Sequence, residues 1–191
     1  MSRRHAWLRF TAGGAPLALD LGLDALAWQE DVAGLHRRWY GVGPPQVAAA
    51  FVLQWLLQVP AHTAAHAAAA GPWRAHLDGL TFSVGPASVP DVVRLAGLVA
   101  DAGALGARLE RAEAEYRAVA EPLARRYASI VRIGPHARSA FVDDMWVAAR
   151  REAEGAAGLI RTGVPDRASC CLIYALPGCV ECAGCPRSRR H

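Results

Sequence analysis

The sequence predicts a mainly α fold: a helical bundle with a small β-hairpin and a C-terminal cysteine-rich loop region, with α+β as the alternative class. Three observations carry this reading. The apolar fraction is 53% and rich in alanine, which with leucine, arginine and glutamate favours helix. Apolar residues recur every three or four positions through long stretches before residue 160. All five cysteines of the 191-residue chain fall between positions 170 and 185. A chain of this length builds one sizeable core without disulfides. The expected division is a helix-rich scaffold over residues 1–160 and a distinct C-terminal segment over 161–191.

Taken in order, residues 6–10 read as a strand, Gly13-Gly14 as a turn and residues 17–28 as a one-sided helix. Gly41-Val42-Gly43-Pro44-Pro45 is a break, and Pro45 suits the first turn of a helix, where its missing N–H costs nothing. Val47, Ala48, Phe51, Val52, Trp55, Leu56 and Val59 repeat at helical spacing, so this helix is buried. Pro60 separates it from an alanine-rich helical stretch, residues 61–70, closed by Gly71-Pro72. His62 and His66 are four apart and share one helical face, a spacing that binds metal or simply forms a polar edge.

Residues 80–84 alternate like a half-buried strand, and Gly85-Pro86 reads as a turn. Residues 88–93 supply either a second strand or the entry to a helix at Pro90. From Gly103, Leu105, Leu109, Ala112, Tyr116, Val119 and Leu123 define an amphipathic helix, bent or interrupted near Pro122. A further helix starts at about Pro135, carries Phe141, Val142, Met145, Trp146, Ala149 and Ala153, and stops near Gly155 or Gly158. Asp143 and Asp144 are adjacent and point to different sides, which argues against a paired-carboxylate acid/base role.

The net charge of +4 is too small for a nucleic-acid footprint, and the helices carry mixed charge rather than a basic recognition face. Charge does collect at the end: residues 161–191 hold five arginines against Asp166 and Glu181, a net +3. The first residues lack the apolar core of a targeting segment. The most hydrophobic run, residues 47–59, is too short to span a bilayer. No nucleic-acid partner and no integral membrane segment are expected, and the thiols suit a reducing cytoplasm.

Confining every thiol to one window points to a single metal or redox centre. Four thiolates bind Zn²⁺ tetrahedrally or hold the two irons of a [2Fe–2S] cluster. Cys182-Ala-Gly-Cys185 is one half of such a set, and the vicinal pair Cys170-Cys171 is the other. Neighbouring side chains diverge, so an adjacent pair fits a cluster better than one small tetrahedral ion. Zinc stays open as the alternative.

The spacing Cys-Cys-x₁₀-Cys-x₂-Cys resembles the C-terminal signature of the FhuF family of siderophore-iron reductases. Arg167-x-Ser169-Cys-Cys-Leu-x-Tyr174, then Leu176-Pro-Gly and Cys-Pro186, look like that family too. The resemblance covers about 20 residues. It implies a [2Fe–2S] cluster held by Cys170, Cys171, Cys182 and Cys185. Cys179 departs from the pattern: it is a spare thiol beside the cluster, or an alternative ligand in a Cys-x₂-Cys-x₂-Cys-Pro run reminiscent of bacterial [4Fe–4S] ferredoxins.

On this resemblance the protein is an oxidoreductase that passes one electron to siderophore-bound Fe³⁺ and releases Fe²⁺ in the cytoplasm. Residues 1–160 then bind the ferric siderophore, and a ferredoxin or ferredoxin reductase supplies the electron. Catalysis needs no acid, base or nucleophile, and none is evident. A four-thiolate [2Fe–2S] cluster is anionic by formal count, so Arg167, Arg187, Arg189 and Arg190 are candidates to raise its potential or dock a partner. The competing class is a non-enzymatic iron–sulfur or zinc module acting as electron carrier or sensor.

Overall fold

A computed structural model describes residues 7–159 and 163–188. The chain forms β1 (Arg9–Ala12), β2 (Leu19–Asp20), α1 (Ala25–Tyr40), α2 (Pro45–Ala70), β3 (Trp73–Ala75), β4 (Thr81–Val84), β5 (Pro90–Leu95), β6 (Leu98–Ala100), α3 (Leu105–Arg126) and α4 (Pro135–Ala156). A 3₁₀ turn, Ile173–Ala175, lies in the cysteine segment. The mainly helical class with a minor β component is therefore the observed one.

The organising element is α2. Its residues are apolar nearly all round, a pattern that belongs to a helix enclosed by others. It packs against α1, α3 and α4, and Leu53, Leu57 and Ala65 are fully buried. By length and composition α2 would also cross a membrane, but 78% of its most apolar window is buried inside this protein, as in a core helix. Truncating Leu57 to alanine would cost about 2–5 kcal/mol, the usual range for a buried leucine.

Pro60 does not end this helix, contrary to its local signal. A proline inside a helix removes one hydrogen bond and costs about 3 kcal/mol. Burial on all sides offsets that cost: Val59, Pro60 and Ala61 are all buried. The expected helix over 17–28 is likewise corrected. Residues 19–20 pair as a short strand with Phe82 and Thr81, and the helix begins at Ala25. Asp24 caps it by accepting from the Leu26 N–H, and Gly41 closes it in the left-handed conformation.

The hairpin forms: β4 and β5 are antiparallel, with a register shift between Ser83 and Val84. It is the centre of a four-stranded sheet of order β1-β5-β4-β2, in which β1 runs parallel to β5. A second, two-stranded sheet joins β3 to β6. Pro122 is accommodated within α3, and α4 spans the expected range. Buried hydroxyls lock helix to helix: Tyr116 donates to the Val142 carbonyl and Tyr127 to that of Ala49, both at 2.9 Å. These bonds tie α3 to both α2 and α4, and the cysteine segment lies against the α2–α4 pair.

Candidate metal centre

The cysteine segment has little regular structure, so side chains and turns must position it. Asp144 of α4 is the main anchor. Its carboxylate is buried and accepts from the Ala168 N–H at 3.0 Å, the Ser169 N–H at 2.7 Å and the Ser169 hydroxyl at 2.5 Å. Charge-assisted bonds of this kind are the strong ones. They fix the backbone immediately before Cys170.

Arg167 ties three parts together. Its guanidinium donates to Gln54 Oε1 on α2 at 2.9 Å and to Ser169 Oγ at 3.2 Å, and its Nε lies 3.6 Å from Asp144. Its Nη1 approaches Cys182 Sγ at 3.9 Å. The backbone N–H of Arg167 donates to the Gly184 carbonyl at 3.0 Å, so the two ends of the segment are stitched together.

Two backbone positions bring the thiols inward. Leu172 adopts φ +62°, the left-handed region that costs an L-residue about 1–2 kcal/mol. This reverses the chain directly after Cys170-Cys171, and the Leu172 N–H donates to the Cys170 sulfur. Gly184, at φ +74°, is pressed against Pro165: a Cβ there would lie 2.4 Å from the Pro165 carbonyl oxygen. Only glycine fits, and it allows the tight turn in which the Cys185 N–H donates to the Cys182 carbonyl.

Four sulfurs converge as a result. Cys171 Sγ and Cys182 Sγ are 3.9 Å apart, and Cys170 lies within side-chain hydrogen-bonding reach of Cys185. Burial, followed by the neighbouring sulfurs, pushes the Cys170 and Cys182 thiols up from their ordinary value. Such mutual repulsion between thiolates is relieved by bound cationic metal. The fifth thiol faces elsewhere. Cys179 lies beside Tyr40 at the end of α1 and raises the phenol's pKa, and its neighbour Val180 is 76% exposed.

The arginines separate in the same way. Arg167 is the one beside a sulfur among the described residues. Arg187 lies over the Tyr174 ring at 4.1 Å and 3.5 Å from Glu181. Arg189 and Arg190 fall outside the described residues. Of the adjacent acids, Asp143 pairs with Arg117 on α3 at 2.7 Å, while Asp144 turns to the cysteine segment. Sequence reasoning missed Asp144 and Gln54 as positioning residues. The available signal was a polar side chain interrupting an apolar helical face in each case.

Two clefts flank the thiols. One, of about 470 Å³, lies between α2 and α4 and is lined by Gln54, Gln58, Asp144, Glu152, Arg167 and Ala183. The other, of about 460 Å³, reaches Cys170 from the start of α4 and is lined by Arg132, His136, Phe141, Tyr174 and Arg187. The first mixes acids and bases. Among the described residues, no acidic side chain lines the second.

Converging cysteine sulfurs, a backbone N–H on sulfur and an adjacent guanidinium make a thiolate metal centre, a donor set that suits zinc or an iron–sulfur cluster. Residues 167–187 match the family model of the FhuF 2Fe-2S C-terminal domain, 21 of the chain's 191 residues. No curated protein and no solved structure matches the chain. The cofactor of this segment is a [2Fe–2S] cluster, and the approach of thiols from two short loops fits it.

Proposed function

We propose that the protein is a ferric-siderophore reductase, with Cys170, Cys171, Cys182 and Cys185 holding the cluster. The observation that carries the reading is the acid-free cleft that opens beside Cys170. When bound, a [2Fe–2S] cluster supplies electrons one at a time, and Fe³⁺ needs one electron to become Fe²⁺. Ferric iron is held by hard oxygen donors, and lowering its charge weakens that hold.

The chain's own residues bind and orient. Arg132, His136 and Arg187 offer cationic or hydrogen-bonding groups to the oxygens of a ferric complex, and Phe141 and Tyr174 offer apolar faces to its ligand backbone. A cleft of about 460 Å³ falls within the usual range for small-molecule sites, about 300–1,000 Å³. Arg167 places positive charge against the Cys182 sulfur, which favours the electron-rich state. Asp144 orients Arg167 and the Ser169-Cys170 backbone. The proposed setting is the cytoplasm, with a ferredoxin or ferredoxin reductase as electron donor. Residues 7–159 form the scaffold and cleft walls in this reading.

Anaerobic mixing of reduced, cluster-loaded protein with a ferric siderophore tests it. The expected result is cluster reoxidation with one Fe²⁺ trapped by a ferrous chelator per electron. A cluster that stays reduced would return the protein to the carrier or sensor class. Replacing Arg132 and His136 by glutamine should raise KM for an anionic ferric complex about tenfold, the loss of one or two charged contacts. Oxidation of the cluster by a small neutral oxidant should be unchanged.

A further inference from the structure

On α2, Gln54, Gln58, His62 and His66 follow at every fourth position and form one polar line on a mostly apolar helix. At one end Gln54 meets Arg167, which also meets Asp144 of α4. Eight residues further along each helix, His62 meets Glu152. His62 Nδ1 lies 3.7 Å from Glu152 Oε2, and His66 Nε2 lies 3.7 Å from Glu152 Oε1. All three donor atoms lie within 4.8 Å of one another.

The two imidazoles are 2% exposed and their rings are stacked, with centroids 5.9 Å apart. Trp7 covers His62 edge-on at 5.4 Å, and Phe10 lies over His66 at 6.4 Å. Glu152 is 31% exposed and also lines the cleft that reaches Arg167 and Ala183. The group is thus closed on the aromatic side and open on the cleft side.

We propose that His62, His66 and Glu152 bind one divalent first-row transition-metal ion, separate from the cysteine centre. Bonds of about 2.0–2.1 Å place neighbouring donors about 3.0–3.4 Å apart, so small side-chain rotations close the present spacing onto an ion. Two imidazoles and one carboxylate suit Fe²⁺, Co²⁺ or Zn²⁺, and are too nitrogen-rich for Mg²⁺ or Ca²⁺. Three protein donors with the cleft beyond leave a coordination position open. On the reductase reading the ion is Fe²⁺, the product of reduction; that identity rests on the reading, and the site does not.

The test is an anaerobic titration of cluster-loaded protein with Co²⁺ as a spectroscopic probe, followed by competition with Fe²⁺. The wild type should take up one Co²⁺ per chain, with weak d–d bands and no thiolate charge-transfer band. His66→Gln and Glu152→Gln should each weaken it by more than about tenfold, since even indirect supporting partners are worth that much. The visible spectrum of the cluster should not change. Absence of binding, thiolate charge-transfer bands, or an affinity in either variant equal to the wild type's would overturn the site. Glu152→Gln, at a partly exposed position, keeps the test valid if His66→Gln does not fold. Failure of a roughly hundredfold excess of Fe²⁺ to displace Co²⁺ would overturn the iron assignment alone, since Fe²⁺ is ordinarily the weaker binder of the two. No siderophore or reductant is present, so this site and the reductase reading fail independently.

Discussion

The cysteine segment and the helical seam beneath it hold their polar groups by opposite means. Residues 163–188 contain little regular structure and depend on special backbone positions and borrowed hydrogen bonds: Leu172, Gly184, and the Asp144 carboxylate from another element. The His62–His66–Glu152 group uses two regular helices whose packing is fixed by buried apolar surface. The first centre is local in sequence but strained in backbone. The second sits on helical backbone, with its third member 86 residues from His66. Local strain makes a site dependent on single residues, whereas a helical frame spreads the dependence over a core.

The largest expected effect separates the thiols. Cys171→Ser or Cys185→Ser should abolish stoichiometric cluster binding, read by visible absorption and iron content, whereas Cys179→Ser should retain it because that thiol faces Tyr40. A cluster lost from Cys179→Ser but kept in Cys185→Ser would reverse the ligand assignment. Next is the borrowed anchor. Asp144→Ala leaves two backbone N–H groups, a hydroxyl and Arg167 without their acceptor. The segment should be destabilised by roughly 2–4 kcal/mol, the cost of stranding buried partners. Faster cluster loss to a chelator, with little change in helical circular dichroism, would place the damage in the segment.

Gly184→Ala should act in the same place with a smaller effect. The left-handed conformation alone costs about 1–2 kcal/mol, and displacement of Pro165 adds to it. Equal cluster retention in this variant and the wild type would show that the turn adapts. The smallest effect belongs to the helical body. His36 is buried against Phe51 and Tyr40, and burial lowers its pKa from 6.5. The unfolded chain therefore binds this proton more readily than the folded one. Its contribution to stability is constant above about pH 6.5 and falls on acidification below it, by at most about 1.4 kcal/mol per pH unit. His36→Leu should flatten that part of the urea-midpoint profile between pH 7 and pH 5. An unchanged slope would remove His36 as its source.

Much of the fold was legible because it is written in short-range pattern. The apolar repeats of α3 and α4, the break before Pro45 and the hairpin around Gly85-Pro86 all follow from neighbours a few residues apart. Reading failed where distant partners override local preference. Pro60 continues a helix because α1, α3 and α4 enclose it, and residues 19–20 become a strand because Phe82 and Thr81 lie beside them.

The same division runs through the two polar centres. By itself the sequence determined a thiol-rich segment suited to one metal or redox centre, because all five cysteines lie within 16 positions, and the resemblance of their spacing to a known family pointed to iron–sulfur. It also placed His62 and His66 on one helical face, because helical geometry alone requires that. Only the tertiary structure decided which carboxylate faces those histidines, which acid anchors Ser169, and that Cys179 turns to Tyr40. Those choices depend on how α1, α2 and α4 pack, a property of the whole buried core rather than of any local run of residues.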